Sequence, residues 1–91
     1  MYEVRYTSRF KSDLKNIQRR GYDIRLITTV IKTLASGEPL AEKYKDHALS
    51  GIWSKHRECH ITPDWLLIYK RENDILVLTL TRTGSHSDLF G

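Results

Sequence analysis

The sequence predicts an α+β fold, with an N-terminal strand and an antiparallel helical hairpin packed on a twisted, mainly antiparallel β-sheet. Three observations predict it. Apolar residues recur at three- and four-residue spacing from Phe10 to Leu34, the period of a helix. From Ile52 to Thr83 the chain changes to short runs rich in β-branched and aromatic residues, broken by turn formers. Within each half the connections are short, which makes neighbouring elements antiparallel.

Each element has its own signal. Tyr2 to Tyr6 alternates and reads as a short strand. Thr7 or Ser8 can cap a helix over residues 8–20, where Phe10, Leu14 and Ile17 form the apolar stripe. Gly21 suits the left-handed turn that ends it. Asp23 can cap a second helix, on which Ile24, Ile27, Val30, Ile31 and Leu34 share a face and which Ser36-Gly37-Glu38-Pro39 terminates. Leu40 to Gly51 reads as a loop that includes His47. Three strands follow, over 52–61, 65–70 and 75–83, joined by turns at Thr62-Pro63-Asp64 and Arg71-Glu72-Asn73-Asp74. Trp65, Leu67 and Tyr69 share one strand face and read as core. Gly84 ends the sheet, and Ser85 to Gly91 forms a short tail ordered by Leu89 and Phe90.

Ninety-one residues fit a single domain, 1–91, with one core. Hydrophobic residues at 40% and charged residues at 29% are ordinary for a soluble globular protein. The longest apolar run, Trp65 to Tyr69, has five residues, far short of a membrane span, so no membrane partner is expected. The polar, alternating start argues against a signal peptide. Cys59 is the only cysteine, which rules out an internal disulfide and fits a reducing cytoplasm. The net charge of +4 is concentrated: residues 1–20 carry six basic side chains against Glu3 and Asp13, and the remainder balances. Arg9, Lys11, Lys15 and Arg19 on the first helix are therefore candidates to grip a polyanion.

All four histidines, His47, His56, His60 and His86, fall in the second half, among carboxylates. Histidine is the side chain whose ordinary pKa lies close to cellular pH. In a strand His56, Glu58 and His60 face one way and Cys59 the other, which disfavours a Cys–His nucleophile pair. His56 and His60 would then stand ~13 Å apart, too far to share an ion, so no metal and no cofactor are expected. RNA cleavage without metal needs only a base for the 2′-hydroxyl, a cation for the phosphate and an acid for the departing 5′-oxygen. His47, His60 and His86 with Asp64 can supply the acid and base, and Lys55, Arg57 or Arg82 the cation. Trp53 and Phe90 offer aromatic platforms for a base. A non-catalytic module that blocks translation by occupying RNA or ribosome would share the basic helix without needing the histidines.

Three segments carry a family resemblance. Tyr44-Lys45-Asp46-His47-Ala48-Leu49-Ser50-Gly51-Ile52-Trp53, then Cys59-His60-Ile61-Thr62-Pro63-Asp64-Trp65-Leu66-Leu67-Ile68-Tyr69-Lys70, then Arg82-Thr83-Gly84-Ser85-His86-Ser87-Asp88-Leu89-Phe90-Gly91 resemble the YafQ branch of the RelE-like toxins of bacterial type II toxin–antitoxin pairs. The resemblance implies a RelE-like fold and a ribosome-dependent mRNA interferase that cuts message in the decoding site. It implies functional positions at His47, His60, Asp64, His86 and Phe90. His86 is the expected general acid, and His60 or His47, aided by Asp64, the expected base. Phe90 is expected to hold a base and Arg82 or Lys55 the phosphate. Relatives often carry Asp where this chain has Glu58, which is placed with the substrate-binding set. Expected partners are a cognate antitoxin, the ribosome and mRNA. The toxin alone is expected to be monomeric and its antitoxin complex oligomeric.

Overall fold

The computed structural model describes residues 1–91. Five strands form one mixed sheet: β1 (Glu3–Tyr6), β2 (His47–Ala48), β3 (Arg57–Thr62), β4 (Trp65–Glu72) and β5 (Val77–Gly84), in spatial order β1-β5-β4-β3-β2. Three helices complete the fold: α1 (Ser8–Arg19), α2 (Ile24–Ala35) and the short α3 (His86–Phe90). The α+β class and the helical hairpin are as the sequence predicts. Two features are not. β1 pairs with β5 in parallel, Glu3 beside Val77 and Tyr6 beside Leu80. The tail is a helix.

Local chemistry explains the helices. The Thr7 hydroxyl accepts from the Phe10 amide and starts α1, and the Asp23 carboxylate accepts from the Arg25 amide and starts α2. Gly21, at φ +81°, makes the left-handed turn between them at no steric cost. The two helices press Phe10, Ile17, Ile27, Val30 and Leu34 onto one sheet face, against Cys59, Trp65, Leu67, Tyr69, Leu78 and Leu80.

The central strand β4 is buried on five successive residues, Trp65 to Tyr69, so both of its faces are covered. Trp65, Leu67 and Tyr69 meet the helices. Leu66 and Ile68 face the other way and are equally inaccessible. In register, Leu66 lies between His60 and Gly84, and Ile68 between Glu58 and Arg82. That second face is the floor of the candidate site.

Two register shifts shape it. One falls between His60 and Thr62 on β3, the other opposite Ile68 and Tyr69, where Thr81 of β5 is left without a partner. Bulges of this kind bend a strand and re-aim its side chains. The strand expected over 52–61 begins only at Arg57, because Gly51–Trp53 winds into a 3-10 turn and Lys55 takes φ +70°. His56 therefore lies outside β3, with its ring edge-on to Trp53 at 5.6 Å.

Candidate functional site

The loop expected at Leu40–Gly51 contains a 3-10 turn at Glu42–Tyr44 and the two-residue strand β2. Asp46 anchors it. Its carboxylate accepts from the Tyr69 hydroxyl at 2.6 Å and from Arg57 Nε at 3.2 Å. Burial first, and then the bond to Asp46, push the Tyr69 phenol well above its ordinary value, so it stays a donor. Because side chains alternate along a strand, fixing Asp46 inward turns His47 to the opposite face, directly across from Glu58.

There, three imidazoles and a phenyl ring form a row. His47 and His60 have centroids 6.3 Å apart, His60 and His86 6.2 Å, and His86 and Phe90 5.9 Å. Glu58 sits between the first two, with its Oε1 at 3.5 Å from each Nε2. Its side chain, expected from the sequence to contact substrate, is only 5% exposed and meets the two imidazoles. His47 Nδ1 donates to the Lys45 carbonyl at 2.8 Å and His60 Nδ1 to the Pro63 carbonyl at 3.4 Å. A carbonyl only accepts, so each Nδ1 carries a hydrogen and each Nε2 is turned toward Glu58.

His86 reaches the row from α3. Ser85 caps that helix in a reciprocal box with Asp88: the Ser85 hydroxyl accepts from the Asp88 amide, and the Asp88 carboxylate from the Ser85 amide. Arg20 at the end of α1 clamps the same carboxylate at 2.6 Å. The Ser85 amide, with Arg20 beside it, holds the Asp88 carboxyl below the usual aspartate range. Gly84 allows the close approach, since a Cβ there would lie 2.8 Å from the Asp88 Cβ. On α3, His86 and Phe90 are one turn apart and share a face. Phe90 is 46% exposed and is no core plug.

Other expected positions stand differently. Asp64 is exposed in the β3–β4 turn and makes no hydrogen bond or ion pair to a histidine; the carboxylate that meets the imidazoles is Glu58. Arg82 is already committed. Its guanidinium forms a two-pronged pair with Asp13, at 2.7 and 3.0 Å, and its side chain is 14% exposed. The bond to Asp13 raises its pKa, and its charge is paired within the protein. Lys55 is exposed and unpaired. Arg9, Lys11, Lys15 and Arg19 are all exposed and unpaired on α1, as a polyanion-binding face requires. Cys59 is enclosed in the core, where burial pushes its thiol up to about 12.

A cavity of about 610 Å³ adjoins His60, lined by Lys43, Tyr44 and Lys45 on one side and Ile61 to Pro63 on the other. These lysines, the Asp46 anchor and Asp13 escaped the reading of the sequence. Lys45 and Asp46 flank His47 inside the first resembling segment, which was the available signal. For Asp13 there was none, since only the fold brings it to Arg82.

The model of a family described as YafQ, a bacterial toxin of type II toxin–antitoxin systems, matches residues 2–91. This chain belongs to the YafQ toxin family. The mRNA interferase toxin YafQ of Escherichia coli strain K12 is 37% identical over 90 residues, which cover 98% of this chain and 96% of that protein. YafQ in a crystal structure of the E. coli DinJ–YafQ complex superposes with a TM-score of 0.92 at 36% identity, each chain covered completely. A metal-bound toxin from Helicobacter pylori superposes with a TM-score of 0.92 at 43% identity, covering 99% of this chain and 100% of that one. In the present YafQ-family chain no three His, Cys, Asp or Glu side chains are placed to share one ion. His47, Glu58 and His60 come nearest, yet their contacts run through a single carboxylate oxygen.

Proposed function

We propose that this chain is an mRNA interferase, cutting message in the ribosomal decoding site by metal-independent acid–base chemistry. The reading is supported above all by one observation: His47, His60 and His86 stand in a row on one face, about 6 Å apart, with a buried glutamate between two of them. Such spacing lets two rings address opposite sides of one phosphodiester.

His60 or His47, positioned by Glu58, takes the proton of the 2′-hydroxyl. The oxygen attacks phosphorus, and the bond to the 5′-oxygen breaks. His86 protonates that oxygen as it leaves. The products are a 2′,3′-cyclic phosphate, or the 3′-phosphate after hydrolysis, and a 5′-hydroxyl. Phe90 supports the adjacent base. Lys55 is the unpaired cation for the phosphate, and Asp64, exposed at the turn beyond His60, is reserved for contact with bound RNA. The exposed cations of α1 grip ribosomal RNA away from the cut. A cognate antitoxin neutralises the toxin, as the DinJ complex of the E. coli relative suggests, by covering the row or holding the basic helix off the ribosome.

The test is expression without an antitoxin, followed by mapping of message ends. Growth should stop, with cuts inside codons. His86→Ala and His60→Ala should each lower cleavage on programmed ribosomes about 10²–10⁴-fold, the usual contribution of a positioned acid or base. If both variants, properly folded, still arrest growth with intact messages, the protein acts by occupancy and not as a nuclease. Treating the purified toxin with a chelator, then removing the chelator before adding programmed ribosomes in their magnesium buffer, should leave cleavage unchanged; a loss restored by one transition metal would overturn the metal-independent step.

A further inference from the structure

A second groove begins where the row of rings ends. It has a volume of about 750 Å³, within the range of ligand sites, and is lined by Ile52, Trp53, Arg9, Arg82, Leu89 and Phe90 among others. A smaller hollow of about 270 Å³ continues from it, sharing Arg9, Trp53 and Arg82 and adding Thr7 and Thr81. The cleavage steps proposed above draw on Phe90 at the edge of this space and leave the rest of it unassigned.

Three observations describe its natural occupant. Its apolar walls face solvent: Ile52 is 92% exposed and Phe90 46%, while Trp53 is half-buried and offers an indole at the wall. Its charge is positive on balance, because Arg82 is neutralised by Asp13 and Asp88 by Arg20, leaving Arg9 as the unpaired charge. Finally, the groove is continuous with the row, since Phe90 belongs to both and lies 5.9 Å from His86. Aromatic wall, lone cation and continuity together match single-stranded RNA, whose bases stack and whose phosphates seek cations.

We propose that this groove is a second nucleotide subsite, which holds the RNA on the 3′ side of the cut. The proposal rests on the nuclease reading for its polarity: His86 gives its proton to the 5′-oxygen of the downstream nucleotide, and the groove lies beyond His86 on that side. The downstream base stacks on Trp53, and its phosphate meets Arg9. Arg9 is thereby reassigned from the ribosome-gripping face to the message.

Binding tests it separately from cleavage. The probe is a set of short RNA oligonucleotides with a 2′-deoxy sugar at the cut, which removes the nucleophile, extended stepwise on the 3′ or the 5′ side. Trp65 is 1% exposed and insensitive, so quenching of tryptophan fluorescence reports Trp53. Extension on the 3′ side should quench fluorescence and tighten binding about tenfold. Trp53→Ala and Arg9→Ala should abolish the gain from 3′ extension and leave the affinity of the shortest oligonucleotide unchanged, while Trp53→Phe, which keeps a stacking ring, should retain most of it. Circular dichroism checks that each variant is folded. Absence of quenching, a gain that survives in both alanine variants, or a Trp53-dependent gain on the 5′ side would overturn the proposal. Failure of the nuclease reading would show instead as uncut messages in cells.

Discussion

Glu58 sets the sharpest expectations among single residues. It is enclosed between two imidazoles, with Oε1 at 3.5 Å from each Nε2. Glu58→Gln keeps the shape and removes the charge. It should cut the rate about 10²-fold, with little change in KM and a displaced pH–rate profile. Asp64→Asn should cost less than Glu58→Gln; a larger loss at Asp64 would return the assisting role to the turn. Cys59 gives a complementary expectation. With its thiol raised to about 12 and no access to solvent, it should resist iodoacetamide in the folded protein and react only on unfolding. The facing of Cys59 away from His60 was legible in the sequence, because a strand's alternation needs no coordinates. The partnering of Glu58 was not, because it depends on β2, whose two residues leave no periodic trace.

Among the elements, α3 is the one on which the site depends and the one the sequence concealed. Five residues are too few to display a helical period. The capping pattern Ser85-His86-Ser87-Asp88 was nonetheless present in the chain, a serine followed three residues later by an acid. Gly84→Ala would force a Cβ against Asp88 in a backbone conformation (φ +158°) that side chains rarely adopt. It should destabilise the docked α3 by about 1–3 kcal/mol and reduce activity, as measured by hydrogen exchange at residues 86–90 and by cleavage rate. Asp88 adds a pH dependence of known sign. Its pKa is lowered on folding, so the unfolded chain takes up the proton more readily. The stabilisation is complete above the ordinary aspartate value of ~3.9 and is lost as pH falls through the lower folded value. Acid should therefore loosen α3, and Asp88→Asn should remove that dependence.

Across the whole molecule, the sheet separates two tasks. One face binds the helices and carries stability; the other carries the histidine row. Leu67→Ala, on the helix face, should cost about 2–5 kcal/mol in denaturant unfolding, whereas His86→Ala should alter stability little while abolishing activity. The exposed cations of α1 form a third region. Replacing Lys11, Lys15 and Arg19 together by alanine should weaken ribosome binding and lower the slope of log affinity against log salt by about two. The hairpin, the three long strands and the core were legible because their periods extend over many residues. The parallel closure of β1 on β5 was not, since it joins residues more than seventy positions apart and no local pattern encodes it.

The ties from α1 to the far end of the chain have a mechanical meaning. Asp13 grasps Arg82 and Arg20 grasps Asp88, so the first helix acts as a handle on the segment that bears His86. A partner that tilted this handle would draw His86 away from His60 and break the row without ever touching an imidazole.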